Sequence, residues 1–166
     1  VNVNAYEHSM TIISNVLFLG NSSTDEHDKL VAIIDGEVRG IGNIGNAIAQ
    51  GLVKSKKYVP ENIILTRRSA KHLHEFQEQG FTVSTDNCTA VTRSEIVILA
   101  ITPSQIVNVL KEINSSLSSK QLLISVVSGV SINEMKQHLN SKMGIVRAMP
   151  NTAATLCESI TCLATE

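Results

Sequence analysis

From residue 30 onward, short apolar runs alternate with stretches whose apolar positions recur at three- and four-residue intervals. The run LVAII at 30–34 is continuous, rich in β-branched residues and strand-length, the pattern of a strand buried on both faces. Across 43–53, Ile44, Ala47, Ile48 and Leu52 fall on one face of a helix. A short strand at 63–65 precedes a polar helix over about 69–79, closed by Gly80 as its C-terminal cap. Next come a third strand at 81–83, a short helix over 88–93 and the clearest strand of the chain, EIVILAI at 95–101. Pro103 opens a helix running to about 117, a position where the missing N–H costs nothing. A strand at 122–127, a helix over 132–139 begun by Ser131, a strand at 144–148 and an edge strand at 160–164 complete the series.

Strand–helix alternation at this spacing predicts parallel pairing with right-handed crossovers. The expected fold is a doubly wound, Rossmann-like α/β single domain with a mainly parallel sheet, covering residues 30–166. Residues 1–29 stand apart as an N-terminal extension. An apolar stretch at 11–20, broken by Ser14 and Asn15, is followed by the polar NSSTDEHDK, of loop or linker composition. An extra strand at 12–19 and a translation start at Met10 are alternative accounts of it, and no function is attached to it.

The 166 residues are 43% apolar and 17% charged, which indicates a globular chain rather than a disordered one. Aromatics are 3% and Trp is absent, so the core is expected to be aliphatic. The net charge of −1 and the shortage of stacking aromatics argue against a nucleic-acid partner. The stretch at 11–20 is too short to span a bilayer, and the opening VNVNAYEHS lacks the basic residues of a signal peptide, so no membrane partner is expected. Cys88, Cys157 and Cys162 have no metal spacing and are odd in number, which suits a reducing, cytoplasmic setting. No metal site is expected. His8, His27, His72, His74 and His138 sit in polar or helical surface contexts, and none is assigned a role as metal ligand or base.

Three sets of residues carry chemistry. Gly40-Ile41-Gly42-Asn43-Ile44-Gly45 is a GxGxxG placed between a buried strand and an amphipathic helix. There, glycines let the backbone approach a pyrophosphate and the helix tip offers free N–H groups. The strand does not run straight into the first glycine, because Asp35 to Arg39 intervene. That segment is either an enlarged loop or a hairpin turn at Asp35-Gly36. Arg67, Arg68 and Ser69, just past the second strand, offer planar donors and a hydroxyl for a 2′-phosphate, which points to NADP. Ala100, Thr102 and Pro103, then Ser128, Gly129 and Val130, then Met149, Pro150, Asn151 and Thr152 follow the later strands. Ligands of open α/β sheets bind beyond these strand ends.

The segments GIGNIGNAIAQGL, LTRRS, TDN at 85–87, VILAITPSQ, ISVVSGVSI and VRAMPNTAA occur in an order that resembles the pyrroline-5-carboxylate reductase family, over about 30–166. RAMPNT, with SGVSI upstream, is the more specific part. The resemblance implies NAD(P)H-dependent reduction of a cyclic imine to proline in the last step of proline biosynthesis. By motif, Gly40, Gly42, Asn43, Ile44 and Gly45 would line the pyrophosphate, and Arg67, Arg68 and Ser69 the adenosine phosphate. Ala100, Thr102 and Pro103 would border the nicotinamide ribose. Ser128, Gly129, Val130, Met149, Pro150, Asn151 and Thr152 would face the ring and a small-molecule imine.

Two departures accompany the resemblance. The family usually has Lys where this chain has Thr102, which removes a positive charge near the cofactor. The family also continues into a helical second domain that dimerises and supplies most substrate contacts. With that domain absent after Glu166, the chain is expected to bind cofactor without completing the reaction, its catalytic residues unassigned and its oligomeric state open. Other readings are a different NADP oxidoreductase, such as a deazaflavin-dependent one or a β-hydroxyacid dehydrogenase relative, and a non-catalytic NADP-binding module. RAMPNT speaks against the first. The widened glycine loop and Thr102 favour the second.

Overall fold

Val31–Asp35 forms β1, and all five of its side chains are buried. The computed structural model describes residues 29–36, 44–54, 56, 58–67, 73–140, 142–150 and 161–165. After β1 come α1 (Ile44–Lys54), β2 (Ile63–Thr66), α2 (His74–Glu78), β3 (Thr82–Ser84) and α3 (Asn87–Arg93). The chain continues through β4 (Ile96–Ala100), α4 (Ile106–Ile113), β5 (Leu122–Ser125), α5 (Ile132–Lys136), β6 (Gly144–Pro150) and β7 (Thr161–Ala164). The sheet order is β3-β2-β1-β4-β5-β6-β7, parallel throughout except for the antiparallel β6–β7 pair. This is the Rossmann-like arrangement expected from the strand–helix alternation.

Alternation along the strands builds a core on each face of the sheet. Val31 and Ile33 pack with Ile48, Ala49 and Leu52 of α1 on one side. Ile34, Val97 and Leu99 pack with Val109, Leu110 and Ile113 of α4 on the other. The few aromatics are used locally: Phe76 and Phe81 meet edge to face, with centroids 6.2 Å apart. Gly80 between them has φ +88 and closes α2, its N–H donating to the Gln77 carbonyl and that of Phe81 to the Phe76 carbonyl. This is the C-terminal cap predicted for Gly80.

Several boundaries differ from expectation. Of the helix expected over 69–79, residues 73–79 lie among the described residues and are α-helical over His74–Glu78; 69–72 lie outside them. The helix expected from Pro103 to 117 is α-helical only over Ile106–Ile113, flanked by 3-10 turns at Pro103–Gln105 and Asn114–Ser116. At the first turn, the Gln105 side chain folds back onto Thr102 instead of extending outward. The helix begun by Ser131 stops at Lys136, three residues short. β6 runs two residues past its expected end because β7 pairs with it as far as Pro150–Thr161. The expected strand at 12–19 lies outside the described residues.

The sheet also decides between the two accounts of Asp35-Gly36. One edge of β1 is taken by parallel β2, and the other by parallel β4 up to the Asp35–Ala100 pair. The Gly36 N–H then donates to the Ala100 carbonyl at 3.1 Å. No edge of β1 is left for a hairpin partner at Asp35-Gly36; residues 37–43 lie outside the described residues. Strand order reverses between β1 and β4, and the chain diverges there to either side of the sheet.

Candidate functional site

A crevice of about 170 Å³ opens at this reversal, beyond the carboxyl ends of β1 and β4. Its floor is Ile34, Asp35 and Gly36, with Arg67 and Asn87 on one side and Ile101 and Gln105 on the other.

Close approach requires a glycine on each flank of Asp35. A Cβ on Gly36 would stand 2.4 Å from Gln105 Oε1 and 3.2 Å from the Ile101 Cα. Gln105 is held there because its Oε1 accepts from the Thr102 N–H at 3.0 Å and the Thr102 hydroxyl at 2.9 Å. On the other flank, Gly45 is buried in the first turn of α1, and a Cβ there would lie 3.0 Å from the Asp35 Cγ. The helix crosses directly over the carboxylate.

That carboxylate is paired with Arg67. Arg67 donates to Asp35 Oδ2 from Nη2 at 2.8 Å and from Nε at 3.1 Å, and the two side chains are 10% and 4% exposed. The guanidinium carbon sits 5.0 Å from the Phe76 ring centroid, a cation–π contact that also shields it from water. Burial raises the Asp35 carboxyl to about 6, against the opposing charge and hydrogen bonds of Arg67. Desolvation thus outweighs the ion pair at this position.

Next to Arg67, Thr66 is buried, and its hydroxyl donates to Asn87 Oδ1 at 2.6 Å. Asn87 Nδ2 donates to Glu112 Oε1 at 3.1 Å, so the amide is fixed at both ends. Asn87 opens α3, and Asp86 caps that helix by accepting from the Cys88 N–H at 2.9 Å. Hydrogen bonds from the Thr89 hydroxyl and backbone N–H, and then from the Cys88 N–H, hold the Asp86 carboxyl below the usual range.

Of the residues singled out by sequence, the structure places Ile44, Gly45, Arg67, Ala100, Thr102 and Pro103 around the β1 and β4 ends. Ala100 is buried, Thr102 half-buried and Pro103 exposed. Ser128, Gly129 and Val130 follow β5, and Met149 and Pro150 end β6, at the same end of neighbouring parallel strands. Gly129 has φ +73, and Arg147 donates from Nη2 to Met149 Sδ at 3.3 Å. Gly40, Gly42, Asn43, Arg68, Ser69, Asn151 and Thr152 lie outside the described residues. Sequence reading assigned no site role to Asp35, Asn87 or Gln105. Asp35 was read as part of a loop or turn because Asp-Gly is a turn signal. The register that pairs Ile34 with Thr66 leaves Arg67, the residue after β2, beside Asp35, the last residue of β1.

Residues 36–129 match a family model described as NADP oxidoreductase, coenzyme F420-dependent. Pyrroline-5-carboxylate reductase 1 of Dictyostelium discoideum is 46% identical over 127 residues, which cover 76% of this chain and 23% of that protein. Pyrroline-5-carboxylate reductase 2 of the same organism is 38% identical over 142 residues, covering 84% of this chain and 46% of that one. The structure of a pyrroline-5-carboxylate reductase from Coxiella burnetii superposes with a TM-score of 0.75 at 31% identity, covering 83% of this chain and 50% of that one. The Plasmodium falciparum pyrroline carboxylate reductase, solved with NADP bound, shares the fold at a TM-score of 0.70 and 24% identity. The chain spans half or less of the length of these relatives.

Proposed function

The chain belongs to the family of NADP oxidoreductases described as coenzyme F420-dependent, and from that premise we propose that it is the nucleotide-binding part of a pyrroline-5-carboxylate reductase. The observation that carries this reading is the identity of 46% and 38% to two such reductases, which extends beyond the family-model match at Gly129 for the second. The reaction would be NADPH-dependent reduction of 1-pyrroline-5-carboxylate to proline. The crevice beyond β1 and β4, at the strand-order reversal where open α/β sheets take their ligands, supports the reading.

In this reading Gly40, Gly42, Asn43, Ile44 and Gly45 hold the diphosphate. Arg67, Arg68 and Ser69 meet the adenosine phosphate, which makes NADP the preferred nucleotide. Ala100, Thr102 and Pro103 border the nicotinamide ribose. Ser128, Gly129, Val130, Met149, Pro150, Asn151 and Thr152 face the ring and the imine. When bound, NADPH supplies the hydride; the chain's own work is to orient the two reactants and keep water out. The imine carbon is electrophilic once its nitrogen is protonated, so this part of the chain needs no general base at hand.

The test is fluorescence titration of the 166-residue chain with NADPH and NADH, alongside an assay of pyrroline-5-carboxylate reduction. We expect weak binding with NADPH ahead, and little turnover by this chain alone. Replacing Arg67 and Arg68 together with Ala should erase the preference; an unchanged ratio would refute the 2′-phosphate assignment. The description of the matched family favours a second reading, hydride exchange between NADP and a reduced deazaflavin. Turnover with that reductant, and none with the imine by a chain extended to the relatives' length, would replace the first reading.

A further inference from the structure

We infer that Asp35 is a selectivity-determining residue: by engaging the Arg67 guanidinium, its carboxylate narrows the discrimination between a nucleotide with a 2′-phosphate and one with a 2′-hydroxyl. The inference rests on the reading of the β1–β4 crevice as a dinucleotide site and says how that site chooses.

Arg67 spends Nε and Nη2 on a single carboxylate oxygen, at 3.1 and 2.8 Å. One face of its guanidinium lies over Phe76. A phosphate that approaches Arg67 must therefore share the cation with a carboxylate already bonded to it, and must sit near that carboxylate's charge. A ribose hydroxyl meets a different situation, because a carboxylate accepts an O–H readily. An acceptor beside a donor treats the two nucleotides more evenly than an unpaired arginine would. The position is fixed from both sides: Gly45 packs closely against one side of the carboxyl, and Gln105 is locked on Thr102 across Gly36. The other polar groups lining the crevice, Asn87 and Gln105, are neutral. The carboxylate of Glu112 on α4 is engaged by the Asn87 amide at 3.1 Å. Arg67 is thus the charged group that faces Asp35 among the described residues.

The experiment measures dissociation constants of NADP⁺ and NAD⁺ by calorimetry at neutral pH, for the 166-residue chain and for its Asp35→Asn, Asp35→Ala and Arg67→Ala variants. Asn keeps the shape beneath Gly45 and Ala removes it, so one variant serves if the other does not fold. In the Asp35 variants the ratio of the two constants should move toward NADP⁺ by about tenfold, the size of one recovered charge-assisted hydrogen bond. In Arg67→Ala it should move the other way. An unchanged ratio in a folded Asp35 variant, with Arg67→Ala still shifting it, would overturn this inference and leave the nucleotide site standing. Binding of neither nucleotide by any form would overturn the site itself. Failure of both Asp35 variants to fold would assign the carboxylate a structural role and refute a part in selectivity.

Discussion

Asp35 illustrates how far one side chain can depart from what its neighbours in sequence suggest. Read along the chain, Asp-Gly after an apolar run is turn chemistry, and nothing local says that the carboxylate will be 4% exposed. Only the sheet supplies that information, because β2 brings Arg67 alongside and α1 lies over the top. Arg67 itself was legible as a cation past the second strand; its engagement by Asp35 was not. The energetic consequence can be worked out from the raised carboxyl. Unfolded, the group titrates near 3.8, and folded near 6, so the folded chain holds the proton more tightly. Its contribution to stability is therefore complete below about 3.8 and is lost as pH rises through 6. Above that window the buried charge costs roughly 3 kcal/mol. Asp35→Asn should accordingly melt higher than the parent at pH 8, and the gap should close toward pH 4. Melting curves across that range check it; a gap that widens on acidification would show that the ion pair outweighs burial.

At the scale of elements, helix starts were more readable than helix ends. Ser131 was recognised as a start, and it forms a full capping box: its hydroxyl accepts from the Glu134 N–H at 3.2 Å, and Glu134 Oε2 accepts from the Ser131 N–H at 2.6 Å. Replacing Ser131 with Ala should lower stability by about 1 kcal/mol, measurable by denaturant unfolding. Ends were harder because apolar periodicity says which face is buried but not where the last turn tightens. The chain around Ile106–Ile113 shows this: Ile106, Val109, Leu110 and Ile113 are buried, and the turns on either side tighten to 3-10 geometry, the first with the Gln105 side chain bonded back to Thr102. The turn at Gln105 also has a partner that is remote in sequence, Gly36. Changing Gly36 to Ala would drive a methyl into Gln105 Oε1 and should cost about 1–3 kcal/mol by overpacking. Pairing it with Gln105→Ala should recover much of that loss. A double-mutant cycle reads the coupling directly, and simple additivity would mean that the two groups do not meet.

For the molecule as a whole, the alternating pattern carried the sheet, while the crevice came from a feature of topology that no single segment displays. Strands with both faces apolar had to be central, and β1 and β4 are. The last strand reads as an edge from its position alone, and in the structure Cys162, Leu163 and Ala164 are exposed while β7, among the described residues, pairs only with β6. Stability should be distributed accordingly. Ile33 is fully buried between α1 and the strands beside it, so Ile33→Ala should cost about 2–5 kcal/mol. Leu163, at 38% exposure, should change stability by no more than about 0.5 kcal/mol when truncated to Ala. Native-state hydrogen exchange offers the sharper test. Amides of β1 and β4 should open only with the whole domain, and those joining β7 to β6 at far lower cost. Equal protection across the sheet would mean that β7 is held by something beyond its single neighbour, and the carboxyl ends of β5 and β6 would then be framed by a more rigid edge than the described residues provide.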